Sequence, residues 1–155
     1  MVEIRIYEES DEAAVAALWR EVFADAPAHN VPEEDIRRKL AVQRELFFVA
    51  EEGGEIIGTA LAGYDGHRGW VYCVAVKPSR RRRGIGAALM ARVEEGLRAM
   101  GCPKLNLQVR ATNREAVAFY ERLGYAVEDR VSMGKRLGGS GEPVGTETTA
   151  RRIKE

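Results

Sequence analysis

The spacing of apolar residues predicts that the chain opens with one strand and two helices. Apolar and polar residues alternate over 2–7, as in a half-buried strand. Apolar residues then recur every three or four positions as far as Phe23, which predicts a helix capped by Ser10 or Asp11. Pro32 suits the first turn of a second helix, in which acidic residues precede basic ones.

The middle of the chain predicts three antiparallel strands in sequence. Residues 46–51 are rich in phenylalanine and valine, which favour strands. Gly53-Gly54 lies between two apolar runs, as in a hairpin, and the returning strand covers residues 55–64. After a polar turn, residues 70–76 form a strongly apolar strand. Together these segments predict a meander.

The pattern returns to helical spacing after Gly84, and Gly101 is expected to end that helix. A fifth strand follows, with its apolar residues at 105, 107 and 109. Residues 114–123 then predict a short helix. The alternation of strands and helices is typical of an α/β domain with helices covering a mixed sheet.

Two weaker strands are predicted to close the fold, over residues 125–128 and 131–136. The complete order is therefore βααβββαβαββ. Beyond them the chain is rich in glycine, serine and threonine, which is typical of a flexible segment. We expect a single domain over residues 1–137 and a flexible tail over 138–155.

Composition narrows the classes of function. The chain has 155 residues, and 24 basic side chains balance 24 acidic ones. This neutrality argues against a dedicated nucleic-acid binder. No apolar run approaches the ~20 residues that span a bilayer, and the first residues lack the order of a secretory signal. Cys73 and Cys102 have no metal-ligand spacing, so we expect reduced thiols, no metal and a cytoplasmic location.

The most informative stretch leads from the strand ending at Val76 into a helix that begins near Gly84. Between them lie four successive arginines, Arg80 to Arg83. Amides at a helix start have no partner within the helix and attract anions, and Gly84 and Gly86 let a phosphate approach the backbone. The loop therefore predicts a pyrophosphate site. Its spacing matches neither the Rossmann motif nor the P-loop.

Two segments resemble the GNAT superfamily of acetyl-coenzyme A-dependent N-acetyltransferases. Arg81-Arg82-Arg83-Gly84-Ile85-Gly86 is similar to the family signature [R/Q]-x-x-G-x-[G/A]. Residues 113–125 resemble the family's N-x-x-A-x-x-x-Y-x-x-x-G-[F/Y] segment. Within the superfamily, the turn at 63–69 and the helix end at 100–104 look like small bacterial YpeA-like acetyltransferases.

The resemblance implies a mixed, mostly antiparallel sheet with splayed parallel strands four and five, flanked by helices. It also implies acetyl-CoA as cosubstrate, with its pantetheine arm on the strand-four backbone and its pyrophosphate on the glycine loop. The residues expected to bind it are Val74, Ala75, Val76, Arg81, Arg82, Arg83, Gly84, Ile85, Gly86, Ala87 and Asn113.

The resemblance assigns catalytic roles as well. Tyr120 is expected to donate a proton to the departing thiolate, since a tyrosine with a pKa near ~10 is protonated at neutral pH. The backbone N–H of Val74 is expected to stabilise charge on the thioester oxygen. Gln108 and Trp70 stand where relatives carry a glutamate, and neither accepts a proton. The candidate general bases are Glu51, Asp65 and His67.

We therefore expect an N-acetyltransferase that acts on a primary amine of a small molecule or protein by direct attack in a ternary complex. Two alternatives stay open: a non-catalytic acyl-CoA-binding regulatory module, and nucleic-acid binding through the arginines. We expect neither a nucleic-acid nor a membrane partner. Dimers are common in the family, and no sequence feature fixes the oligomeric state, which leaves a homodimer open.

Overall fold

The computed structural model describes residues 1–27 and 29–138. Residues 1–107 form one compact unit, and the described residues from Gln108 to Gly138 belong to a second. The strands are β1 (Val2–Ile6), β2 (Phe47–Glu52), β3 (Glu55–Tyr64), β4 (Gly69–Val76) and β5 (Leu105–Asn106). The helices are α1 (Glu12–Val22), α2 (Pro32–Leu40), α3 (Ile85–Ala99) and α4 (Arg114–Arg122).

The first unit is built on a five-stranded sheet in the order β1-β2-β3-β4-β5. The first four strands pair antiparallel, and β4 pairs parallel with β5. That parallel ladder covers only Gly69 with Leu105 and Trp70 with Asn106. From Val71 to Val76, β4 has no strand neighbour on this side among the described residues. The sheet predicted from the sequence, with strands four and five splayed, is confirmed.

Helices cover both faces of this sheet because successive side chains of a strand point to opposite faces. Phe47 stacks on Trp19 of α1, with ring centroids 6.2 Å apart. Its neighbour Phe48 lies under Arg92 of α3, whose guanidinium carbon is 4.8 Å from the ring centroid. Both phenylalanines are fully buried. The apolar run of β2 is therefore explained by burial on two sides.

The second unit corrects the predicted end of the fold. The order βααβββαβαββ is wrong in its last two members, because residues 125–138 form no strand in the part of the chain that the structure describes. A strand needs a hydrogen-bonded neighbour and a face to bury. Here the apolar side chains stay 71% to 93% exposed: Val131, Val127, Met133 and Leu137.

The fifth strand is also shorter than predicted. It ends at Asn106, whereas the apolar alternation continued to Val109. The alternation reports which side chains share a face and carries no information on where a neighbouring strand stops. Of the predicted tail, all but Gly138 lies outside the described residues. The single domain over 1–137 stays a prediction.

None of the helices that the structure describes is both long and apolar enough to cross a membrane.

Candidate functional site

The loop between β4 and α3 makes a tight reversal through two left-handed residues. A short 3₁₀ turn over Pro78–Arg80 follows β4, and Arg82 then has φ +65°. Gly84 has φ +78°, and a Cβ atom added there would meet no heavy atom within 4 Å. Glycine adopts this backbone without steric cost. The start of α3 is therefore open above Gly84.

Six successive backbone amides in this loop have no hydrogen-bond partner among the described residues. The first helical hydrogen bond runs from Ala88 N to Gly84 O, at 3.0 Å. The amides of residues 82–87 donate to no group within the described chain. At a helix N-terminus such amides, together with the helix dipole, favour an anion. The predicted loop residues are thus contiguous, and their backbone fits a pyrophosphate.

The arginines of the loop do not all face solvent. Arg83 makes two hydrogen bonds to Glu52, at 2.7 and 3.1 Å. Arg80 contacts Glu52 at 3.2 Å and Glu55 at 3.2 Å. Arg83, and less strongly Arg80, hold the pKa of the Glu52 carboxyl down at about 2. The two acidic residues that flank the β2–β3 turn therefore anchor the loop.

The remaining two arginines differ from this pair. Arg81 donates from Nε to the carbonyl oxygen of Val76, at 3.3 Å, and so ties the loop to the end of β4. The exposed side chain of Arg82 has no partner among the described residues. Only part of the predicted basic cluster is thus available to a ligand. The anchoring role of Glu52 was not predicted, since nothing local in the sequence pairs it with a loop some thirty residues away.

β4 carries a bulge next to the predicted acetyl site. The β3–β4 register shifts between Thr59 paired with Ala75 and Leu61 paired with Tyr72. Cys73 and Val74 therefore share the space opposite one residue and have no register partner. Cys73 has φ +49°, which is uncommon for a residue with a side chain. A bulge of this kind re-aims the backbone groups of the strand.

A buried hydrogen-bond chain reaches the bulge from α1. Trp19 Nε1 donates to Thr59 Oγ1 at 2.8 Å, and Thr59 Oγ1 donates to the carbonyl oxygen of Cys73 at 2.8 Å. Trp19 is 3% exposed and Thr59 fully buried. The Cys73 thiol packs against the same core, and burial raises its pKa to about 12. That thiol is therefore protonated near neutral pH.

The candidate bases are engaged elsewhere or lie at the surface. Glu51 accepts a 2.8 Å hydrogen bond from Arg5 on the neighbouring strand. Asp65 accepts from the amides of Arg68 and His67, each at 2.7 Å, and these bonds lower the pKa of its carboxyl. His67 is exposed in this turn. Both carboxylates therefore have structural roles.

Two aromatic side chains on β4, the strand with the bulge, are partly exposed to solvent. Trp70 is 40% exposed and Tyr72 is 45% exposed. Burial, with smaller contributions from the charges of Cys73 and Asp35, raises the pKa of Tyr72 to about 12. Both rings therefore offer aromatic surface for contact with a ligand.

The second unit contains three further residues from the sequence analysis. Asn113 caps α4, since its Oδ1 accepts from the amide of Ala116 at 3.1 Å. Tyr120 makes T-shaped ring contacts with Phe119 and Tyr125, with centroids 4.9 and 5.8 Å apart, and burial raises the pKa of its hydroxyl to about 12. Gln108 donates to Ser132 Oγ at 2.5 Å. The Tyr120 hydroxyl is therefore protonated near neutral pH.

Comparison with known proteins identifies the family. A model of the acetyltransferase (GNAT) family matches residues 12–125. A protein named acetyltransferase from Yersinia enterocolitica is 46% identical over 136 residues, which cover 88% of this chain and 96% of that protein.

Solved structures share the fold. The ribosomal-protein-S18-alanine N-acetyltransferase from Escherichia coli has a TM-score of 0.68 and 27% identity, over 80% of this chain and 77% of its own. The PaiA N-acetyltransferase from Thermoplasma acidophilum, solved in complex with coenzyme A, has a TM-score of 0.67 and 21% identity, over 84% of this chain and 92% of its own. The chain therefore belongs to the GNAT acetyltransferase family and is an acetyl-CoA-dependent N-acetyltransferase.

Proposed function

We propose that this enzyme transfers the acetyl group to a primary amine of a small molecule or protein by direct attack in a ternary complex. The observation that carries the proposal is the run of amides at residues 82–87 that have no partner in the described chain. The short turn at Pro78–Arg80 separates them from the edge of β4 that has no strand neighbour among the described residues. In chain order they offer the backbone groups of a strand edge first and the amides of a helix start second. A diphosphate joined to a peptide-like arm has complementary groups in the same order.

The predicted cofactor-binding residues divide between these two parts. The amides of residues 82–87 would hold the pyrophosphate, and the backbone of Val74 to Val76 would bond the pantetheine arm. Arg81 supports the junction, because its bond to the Val76 carbonyl holds loop and strand together. Asn113 contributes through the start of α4, which it caps. Bound acetyl-CoA supplies an activated thioester carbonyl.

The chemistry assigned to this chain is stabilisation of charge and transfer of one proton. The amine nitrogen bonds to the carbonyl carbon, and the carbon–sulfur bond breaks. The Val74 N–H donates to the carbonyl oxygen, where negative charge develops. Tyr120 gives its proton to the thiolate and regains one from solvent. The proton lost by the amine passes to water.

Direct attack is favoured over an acetylated enzyme. Cys73 is the cysteine nearest the proposed acetyl site in sequence, and its thiol has a pKa of about 12. A protonated, packed thiol is a poor nucleophile at neutral pH. With Glu51 and Asp65 bound in structural hydrogen bonds, the amine loses its proton to water. Such an enzyme works best on amines that are partly neutral at the working pH.

An acceptor screen tests the proposal. Wild-type protein, acetyl-CoA and a panel of small amines, polyamines and amine-bearing peptides are combined, and release of the CoA thiol is followed. Transfer to at least one amine, confirmed by mass spectrometry, supports the enzyme. CoA binding without transfer to any amine would favour the acyl-CoA-binding regulatory module, which the engaged carboxylates also suit.

Nucleic-acid binding is disfavoured by the ion pairs of the loop. Arg80 and Arg83 are ion-paired with Glu52, and Arg80 also with Glu55, so the four arginines are not all free to bind phosphates. Binding to a short DNA duplex should be weak. Tight binding that falls steeply with salt would revive this alternative.

A further inference from the structure

The two-bond chain from Trp19 through Thr59 ends on the peptide group that joins Cys73 to Val74. We propose that Thr59 is a positioning residue for the Val74 amide; this inference rests on the proposed role of that amide in acetyl transfer. Thr59 contacts neither substrate nor cofactor. It acts by fixing the orientation and polarity of one peptide group.

Peptide geometry links the two residues. In a trans peptide the carbonyl and the N–H point in opposite directions. Because Thr59 binds the carbonyl of Cys73, the N–H of Val74 points away from Thr59 and from the α1 side of the sheet. The bulge leaves this peptide without a register partner on β3. Its orientation is therefore set by a side chain instead of the regular ladder.

The bulge also needs such a restraint. Cys73 holds φ +49°, a region that residues with a side chain populate sparsely and that persists when the surroundings enforce it. The hydroxyl of Thr59 supplies a buried, well-directed bond at this point. Since an isolated strand would relax to extended geometry, we expect the bulge to depend on that bond.

The direction of both hydrogen bonds is fixed by the chemistry of the groups. An indole N–H only donates, so Thr59 Oγ1 accepts from Trp19 and must direct its own hydrogen elsewhere, onto the Cys73 carbonyl. A hydrogen bond to the carbonyl polarises the peptide and strengthens its N–H as a donor. The bond from Trp19 thus strengthens the Thr59 hydroxyl as a donor, and the bond from Thr59 strengthens the Val74 N–H as a donor.

Four variants separate positioning from folding. Thr59→Val removes the hydroxyl and keeps the side-chain size, but it leaves the Trp19 indole unpaired and should lower the Tm. Trp19→Phe combined with Thr59→Val removes both polar groups, so the unpaired donor is gone. Thr59→Ser retains the hydroxyl. Trp19→Phe alone measures the cost of the smaller ring.

The main readout does not depend on turnover. Acetyl-CoA labelled with carbon-13 at the thioester carbonyl is bound to each protein, and the carbonyl stretch is measured by difference infrared spectroscopy. A hydrogen bond to the oxygen lowers the stretching frequency. We expect the lowered frequency in wild type and Thr59→Ser. Thr59→Val and the double variant should return toward the frequency in solution, whatever their Tm values.

Kinetics with an amine from the acceptor screen gives a second measure. We expect kcat to fall about 10-fold in Thr59→Val, less than the ~10²–10³-fold loss that follows removal of an oxyanion donor. The KM for acetyl-CoA and the dissociation constant of CoA should stay near wild-type values. The fall in kcat should persist in the double variant and be recovered in Thr59→Ser.

The outcomes distinguish this inference from the proposed function. Suppose that wild type transfers acetyl and that the carbonyl frequency is lowered equally in wild type and in Thr59→Val. This result would overturn the role of Thr59 and leave the proposed function intact. A fall in kcat that follows Tm alone, with the frequency unchanged, would do the same. A wild-type protein that binds acetyl-CoA with no shift in frequency would overturn the inference and the assigned role of Val74. Wild-type inactivity toward every amine would contradict the proposed function.

Discussion

Arg83 and Glu52 form a two-point ion pair, with Nη2–Oε2 at 2.7 Å and Nη1–Oε1 at 3.1 Å. Glu52 is the last residue of β2, and Arg83 directly precedes the glycine at the start of α3. The pair thus fixes the loop to the end of β2, an interior strand of the sheet. The Arg83 side chain thus holds in place the loop whose backbone amides, that of Arg83 included, are proposed to bind the pyrophosphate.

This pair predicts a change in acid stability. The folded-state pKa of Glu52 is about 2, below its ordinary value of 4.5. A lowered pKa contributes stability that is present above the ordinary value and lost as pH falls toward the folded value. Glu52→Gln should therefore lower the Tm at pH 7, with a difference from wild type that shrinks between pH 4.5 and 2. Thermal unfolding across this range measures it.

Glu3→Gln is the matched control, because Glu3 is exposed on β1 and makes no ion pair among the described residues. It makes the same change of charge without releasing the loop. An equal, parallel fall of Tm in both variants would show that net charge, and not the pair with Arg83, is responsible.

Two glycines with the same backbone allow a clean test of the phosphate loop. Gly84 has φ +78° and Gly101 has φ +81°, and a Cβ atom would meet nothing within 4 Å at either. Replacement by alanine costs about 1–2 kcal/mol at each, from the left-handed backbone alone. Gly84→Ala should also weaken or abolish the Tm increase produced by coenzyme A, whereas Gly101→Ala should keep it.

The comparison uses differential scanning fluorimetry over a range of coenzyme A concentrations, since binding to the native state raises Tm by mass action. An undiminished increase in Gly84→Ala would place the pyrophosphate elsewhere. Loss of the increase in both variants would point to a general effect of destabilisation.

Local sequence patterns were enough to predict most elements of the fold. The alternation of β1, the glycine pair between β2 and β3, and the arginine–glycine motif before α3 are each set by neighbours in the chain. The prediction of two closing strands was wrong, because an alternating pattern near Val127 and Val131 does not ensure a hydrogen-bonded neighbour or a buried face. A strand forms only beside a neighbouring strand, and the sequence of one segment does not say whether that neighbour exists.

The long-range features of the site were beyond a single sequence. The pairing of Glu52 with Arg83 and the bond from Thr59 to Cys73 join residues 31 and 14 positions apart. The bulge at Cys73 was hidden as well, because its positive φ falls on a residue that is not glycine. Tertiary contacts impose that backbone, and no turn-forming residue marks it.

Cys73 provides a test of direct attack. Its thiol has a pKa of about 12 because it is buried, so it should resist alkylation by iodoacetamide at pH 7.5 in the native protein and react after unfolding. Cys73→Ala should keep acetyl transfer, because no acetylated thiol lies on the proposed path. Cys102→Ala serves as the control for loss of a thiol. An acetyl group found on Cys73 by mass spectrometry, together with an inactive Cys73→Ala, would establish a covalent route instead.

Tyr120 is assigned the proton for the leaving thiolate, and Tyr120→Phe removes its hydroxyl while retaining the ring that packs between Phe119 and Tyr125. We expect coenzyme A to raise the Tm of this variant as in wild type. Turnover should fall ~10²–10⁴-fold, the contribution of a positioned acid. Because burial raises the pKa of the hydroxyl to about 12, wild-type turnover should show no loss from its ionisation up to about pH 10.

Tyr125→Phe is the matched control, since it deletes a hydroxyl from a ring that makes a T-shaped contact with Tyr120. Its turnover should remain close to that of wild type. The comparison is made under single-turnover conditions, so that product release does not mask the chemical step.

The CoA thiol resembles a cysteine, with a pKa near ~8.5, and its thiolate leaves readily without help at high pH. The deficit of Tyr120→Phe should therefore narrow as pH rises, and equal single-turnover rates in Tyr120→Phe and wild type at pH 7 would assign the proton to water and leave Tyr120 a packing role.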